Sequence, residues 1–203
     1  MLTGPGPMGE PSTSSSSAWK GWRSLLIWMG VALLLRWAVI EPRWIPSGSM
    51  LPTLQLQDRV LVEKIRPHLQ AGVPTGSIVV FRAPDALVAA GYDPKAALIK
   101  RVVAQAGDQV QVHKGQLLRN GAVTEEPWLA EAMTYEFGPI RIPPGHLLVL
   151  GDNRNASLDS HLWGPLPETS VLGTAVFRYW PLNRLGPIRF STHEPADPSR
   201  QLG

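Results

Sequence analysis

Ala96-Ala97-Leu98-Ile99-Lys100-Arg101-Val102-Val103 is an apolar, β-prone run interrupted by two adjacent cations. In a strand, successive side chains face opposite ways, so Lys100 shares a face with Leu98 and Val102 and opposes Arg101. Burial among such neighbours disfavours the ammonium and moves a lysine toward the neutral amine. The alternative is a lysine that snorkels from a strand edge, and this run alone leaves both readings open. Similar runs recur on either side. Arg59-Val60-Leu61-Val62-Glu63-Lys64 and Gly76-Ser77-Ile78-Val79-Val80-Phe81 precede it, and Gln109-Val110-Gln111-Val112-His113, His146-Leu147-Leu148-Val149-Leu150 and Thr174-Ala175-Val176-Phe177-Arg178-Tyr179 follow. Twenty prolines and nineteen glycines separate short segments, which predicts a mostly β, antiparallel domain over residues 44–190. Lys114-Gly115 and Asn120-Gly121 bracket Gln116-Leu117-Leu118 as turn dipeptides and predict a hairpin excursion within 109–145.

The rest of the chain is organised differently. Residues 1–23 read as a flexible tail, Met1 to Ser17 being rich in Gly, Pro and Ser, and Ser191 to Gly203 as a loose polar tail. Between them, residues 24–40 form an apolar run at the short end of what crosses a bilayer, with Arg36 near one end where it can snorkel. Trp19, Trp22, Trp37 and Trp44 flank it at interfacial positions. Ile40-Glu41-Pro42-Arg43-Trp44 offers no small-x-small cleavage site, so a retained single-pass anchor is expected. Lys20 and Arg23 before it, against Arg43 offset by Glu41 after it, favour a cytoplasmic N-terminus and a body on the exported side.

Composition narrows the chemistry. With 203 residues, 44% hydrophobic, the chain can bury one good core. A net charge of +3 without a basic stripe argues against nucleic acid as a partner. The absence of cysteine excludes disulfides, thiol nucleophiles and Cys-ligated zinc, and the five histidines show no metal-ligand spacing, so no metal or other cofactor is expected.

Two further stretches could work with Lys100. Pro46-Ser47-Gly48-Ser49-Met50-Leu51-Pro52-Thr53 is a stiff, non-helical segment in which a hydroxyl and a backbone N–H can be aimed at one point, or else an ordinary turn. Gly151-Asp152-Asn153-Arg154-Asn155-Ala156-Ser157-Leu158-Asp159-Ser160 is dense in hydrogen-bonding groups directly after an apolar strand. It can organise a site, Ser157 or Ser160 orienting an amine base while Asp152, Arg154 and Asp159 fix the loop, or be a solvated turn. A serine with an amine base is one form of nucleophilic catalysis.

The anchor, Pro46 to Leu54, Lys100 to Asp108 and Gly151 to Ser160 occur in the order and with the character of type I signal peptidases, and the chain resembles that family from Leu25 to Leu182. The resemblance implies a signal-peptidase β-fold of the kind shared with self-cleaving repressor-type proteases. It implies Ser49 as nucleophile, Lys100 as general base, and the Ser47 hydroxyl with the Ser49 N–H as oxyanion hole. Ser157 would hydrogen-bond the lysine, Asp152, Arg154 and Asp159 would form a supporting cluster, and Asp58 to Lys64 matches the strand after the nucleophile. Ile45, Pro46, Met50, Leu98 and Ile99, neighbours of the two catalytic positions, would line shallow pockets for small side chains.

The activity so implied is removal of N-terminal signal peptides from exported preproteins after small-x-small sites, by a monomer held on membrane lipid. The chain departs from the family pattern at Ala104 and Ala106, usually Gly and Pro, and at Asn155 and His161, usually aspartate and arginine. The first pair is expected to affect a turn and the second the charge pattern around Asp159. Two other readings compete. A self-cleaving repressor-type protease shares the Ser-Lys pair but lacks the anchor and carries a helix-turn-helix, and an anchored β-domain binding exported partners without chemistry would not need Ser49, Lys100 and Ser157 together.

Overall fold

A computed structural model describes residues 15–65 and 72–188, without the side chains of 15–20 and 35–38. The C-terminal tail, the first positions of the N-terminal tail and the side chains of Trp19, Lys20, Arg36 and Trp37 lie outside the described residues. The chain divides into two compact units, Met1–Ala38 and Val39–Gly203.

The first unit contains helix α1, Ser15–Val39, which begins inside the stretch expected to be a tail. Trp22, Leu25, Leu26, Ile27, Trp28, Met29, Leu33 and Leu34 are all exposed, so its apolar surface runs round the helix and not along one stripe. Among the described residues no helix is long and apolar enough to cross a membrane, and the span expected over 24–40 is not found among them.

The second unit is built of strands β1 (Ile40–Trp44), β2 (Arg59–Glu63), β3 (Ile78–Arg82), β4 (Ala97–Ala104), β5 (Gln109–His113), β6 (Gln116–Arg119), β7 (Ala122–Val123), β8 (Phe137–Arg141), β9 (His146–Leu150), β10 (Leu166–Pro167), β11 (Val171–Trp180) and β12 (Gly186–Pro187). Among the described residues, short helices α2 (Asp85–Ala89) and α3 (Ser160–Trp163) interrupt them. All described pairings are antiparallel. The larger sheet runs β1-β2-β11-β3-β4-β9-β10, with β12 against β11, and a four-stranded sheet runs β7-β6-β5-β8.

β4 is central, and every residue from Ile99 to Ala104 is buried. Its alternation distributes the apolar side chains over three clusters. Ile99 joins Ile45, Met50, Leu54, Val60 and Ile78. Leu98 and Val102 join Val79, Phe81, Leu147 and Val149. Val103 joins Val110, Val112, Leu117, Leu148 and Leu150 beneath the smaller sheet. A strand covered on both faces reads as a continuous apolar run, which is why this stretch stands out in the sequence. The hairpin between β5 and β6 turns at Lys114 and Gly115, and the next at Asn120 and Gly121, all four at positive φ as the two-residue turns require.

β1, β8, β10 and β12 were not foreseen from the runs of β-branched residues, and Ile40 opens β1 instead of closing the apolar run. All four contain proline and pair with only one neighbour. Proline lacks the N–H that a second neighbour would need, so it is tolerated at sheet edges while erasing the local strand signal. In β8, Gly138 has φ +78°, and a Cβ there would lie 2.5 Å from the Val110 carbonyl oxygen. Gly138→Ala is expected to cost about 2 kcal/mol or more through backbone strain and collision with β5, measurable as a lowered thermal midpoint of the full chain in detergent.

Candidate active site

Met50 is fully buried in the core cluster of Ile45 and Ile99, and this pins the turn on which Ser49 stands. Within that turn Leu51 N–H donates to the Gly48 carbonyl and Leu54 N–H to that of Met50. Asn153 ties the segment to the loop after β9. Its backbone N–H donates to the Ser49 carbonyl at 3.0 Å, and its side-chain amide to the Gly48 carbonyl at 3.2 Å.

Lys100 projects from the middle of β4 with 4% of its surface exposed, and Nζ lies 2.6 Å from Ser49 Oγ. Burial pushes the ammonium down to about 8, against the opposing attraction of Asp159 and then Asp152. A lysine so placed is a neutral amine in mildly alkaline water and can accept a proton from the hydroxyl it touches. Ser47 Oγ lies 3.3 Å from Ser49 Oγ on the exposed side.

The three charged residues of the loop do not pair with one another. Asp152 takes Arg101 in a two-pronged ion pair, Nε to Oδ1 at 2.8 Å and Nη2 to Oδ2 at 2.7 Å, fully out of water. Arg101 also donates to the Gly76 carbonyl and lies with its Cζ 4.2 Å from the centre of the Trp128 ring. Arg154 pairs with Glu126 through both terminal nitrogens and donates from Nε to the Gly151 carbonyl at 3.0 Å. Asp159 accepts the Gly151 N–H at 2.8 Å on Oδ2 and faces His161 Nδ1 at 2.6 Å on Oδ1.

Arg154 and Asp159 thus hold the two polar groups of one peptide residue. β4 pairs Arg101 with Leu150, which places Lys100 next across the ladder from Gly151. A Cβ on Gly151 would lie 2.5 Å from the Ser49 carbonyl oxygen and 2.2 Å from Ser157 Oγ. Ser157 Oγ is buried with no hydrogen-bond partner among the described residues, so this hydroxyl borders the site without bonding Lys100.

A sequence profile described as Signal peptidase, peptidase S26, matches residues 19–180. The chain belongs to that family. It is 44% identical over 172 residues to a probable signal peptidase I-1 of Synechocystis sp., covering 85% of this chain and 87% of that protein. A signal peptidase I of Leptolyngbya laminosa is 41% identical over 186 residues, 90% and 91% of the two chains. The probable chloroplastic thylakoidal processing peptidase 2 of Arabidopsis thaliana is 48% identical over 158 residues, covering 78% of this chain and 43% of that one. The chain is accordingly a peptidase of the signal peptidase I class.

The expected residues of this signal peptidase meet unequally. Ser49, Lys100 and Ser47 converge, and Ser157 stands beside them. Of the expected pocket residues, Ile45, Met50 and Ile99 are core, Leu98 is half-buried and Pro46 exposed. Asn155 does not touch Asp159. It accepts from Thr134 and donates to Glu131 and the Ala132 carbonyl, strapping the loop before β8 to the site, so that of the two departures there only His161 reaches the carboxylate. Ala104 is buried in the third cluster, and the turn after it closes with Asp108 accepting the Gln105 N–H and Gly107 at φ +90°.

Arg101, Gly151, Glu126 and Trp128 were not anticipated in this signal peptidase. Arg101 and Gly151 sat inside the quoted motifs, whereas Glu126 and Trp128 lie in a loop with no pattern of its own. Gly151→Ala is expected to abolish activity and lower the thermal midpoint, since the methyl displaces either Ser49 or Ser157. Asp152→Asn leaves Arg101 buried with half its partner and should cost about 3–5 kcal/mol, read from denaturant unfolding.

Proposed function

We propose that this signal peptidase removes N-terminal signal peptides from exported preproteins with Ser49 as nucleophile and Lys100 as general base. The observation that carries the reading is the 2.6 Å contact between Lys100 Nζ and Ser49 Oγ inside a site that excludes water from the amine. As Ser49 Oγ attacks the scissile carbonyl, its proton passes to Lys100. The Ser49 N–H and the Ser47 hydroxyl, 3.3 Å from Oγ, stabilise the oxyanion. Lys100 gives the proton to the leaving amine, then takes one from the water that hydrolyses the acyl-enzyme. Ser157, with its unpartnered buried hydroxyl beside Gly151, orients the lysine once the site is occupied.

Small-x-small selection is read from an extended substrate that presents alternate residues to the surface beside Ser49 and Lys100. Helix α1, whose described apolar side chains are exposed, attaches the monomeric enzyme to membrane lipid on the exported side. Attachment raises the encounter rate with a membrane-held substrate by confining both to one surface.

Ser49→Ala and Lys100→Met are each expected to lower cleavage of a model preprotein by on the order of 10⁴-fold. Lys100→Met should leave the thermal midpoint unchanged or raised, because it removes a costly buried charge. Full activity in either variant overturns the reading. The free amine is the active form, so kcat/KM should rise with pH up to about 8 and level above it. A flat profile between pH 6 and 9 would exclude Lys100 as the base.

A further inference from the structure

We propose that His161 is a positioning residue whose imidazole proton governs how much of the Asp159 charge reaches Lys100, so that the imidazole and the amine titrate as a coupled pair. The inference rests on Lys100 being the base.

The geometry leaves Asp159 one variable partner. Its side chain is fully buried, and its Oδ2 is committed to the Gly151 N–H. Oδ1 accepts the His161 backbone N–H at 3.3 Å and faces Nδ1 at 2.6 Å. Those backbone bonds do not change with pH. The imidazole does, and with 13% of its side chain exposed it can exchange protons with water.

The groups around it narrow the effect to that pair. From the loop before β8, Tyr135 stacks on the imidazole with ring centres 4.2 Å apart. Burial and then Asp159 push the phenol up to about 12, so it stays neutral throughout the working range. Behind Tyr135, Arg154 is paired with Glu126, and Asp152 is paired with Arg101. Of the two carboxylates that act on Lys100, one is therefore paired with a permanent cation and the other faces a histidine.

The sign follows directly. Neutral His161 donates from Nδ1–H and leaves a full negative charge on Asp159, which favours the Lys100 ammonium. Protonated His161 offsets that charge and makes Lys100 the stronger proton donor, releasing free amine at lower pH than an isolated lysine would allow. The acid limb of the rate profile is thereby flattened.

The test compares wild type, His161→Gln and His161→Arg as full chains in detergent. NMR follows the His161 ring and Lys100 Cε, and kcat/KM is measured from pH 5 to 10. The Arg variant should show a Lys100 midpoint about half to one pH unit below that of the Gln variant. Each variant should have an acid limb of one decade per pH unit. Wild type should have a shallower limb, and its Lys100 resonance should move where His161 titrates.

A merely structural role would lower rates at every pH without moving the midpoint, and one common Lys100 midpoint in all three proteins overturns the inference. If that happens while Lys100→Met remains inactive, the base assignment survives without the coupling. If Lys100 shifts as expected but the rate profiles do not follow, the coupling survives and the base assignment falls.

Discussion

The site depends on one close backbone approach. Gly151 follows β9 with its N–H held by Asp159 and its carbonyl by Arg154, and it has no side chain to keep Ser49 and Ser157 away. Strand pairing sets it across from Lys100, so the same residue fixes the distance between the segment carrying the hydroxyl and the strand carrying the amine. Asn153, two positions on, completes the join by donating twice to the Ser49 segment. A glycine here is required by space and not by φ, since any Cβ would fall well inside van der Waals contact.

Around that join the protein manages buried charge in a consistent way. Arg101 and Asp152 neutralise each other in the two-pronged geometry that best repays desolvation, and Arg154 does the same with Glu126. Lys100 has no such partner. Among the described residues its amine hydrogen-bonds only a hydroxyl, so desolvation outweighs the attraction of the two carboxylates and the ammonium is brought down to about 8. The smaller sheet contributes the outer wall of this arrangement. Glu126, Trp128, Thr134 and Tyr135, all from the loop leading to β8, contact respectively Arg154, Arg101, Asn155 and His161. The excursion from the main sheet therefore buttresses the polar loop instead of merely extending the fold.

Much of this was legible along the chain, for reasons that differ by residue. The central strands announced themselves because both faces are buried, and the hairpin turns because Lys114-Gly115 and Asn120-Gly121 are among the few pairs that adopt positive φ together. Ser49, Lys100 and Ser157 lay inside short motifs whose residue types have a joint chemical meaning. The strands that escaped notice carry proline at sheet edges, where one missing donor is harmless. Glu126 and Trp128 were invisible because their partners are distant in sequence and their loop has neither periodicity nor motif.

By itself the sequence determined that the chain is β-rich, that a hydroxyl segment, a lysine within an apolar run and a polar loop follow one another in the order of a known family, and that an apolar run precedes them. These are properties of residue type and spacing, which local sterics and solvation impose wherever the chain folds. Only the tertiary structure decided which carboxylate meets which cation, that Asp159 is shared between Gly151 and His161, and that Asn155 turns away to strap a loop. Such pairings depend on strand register and on which loops come within about 3 Å of each other, and no interval along the sequence encodes that distance.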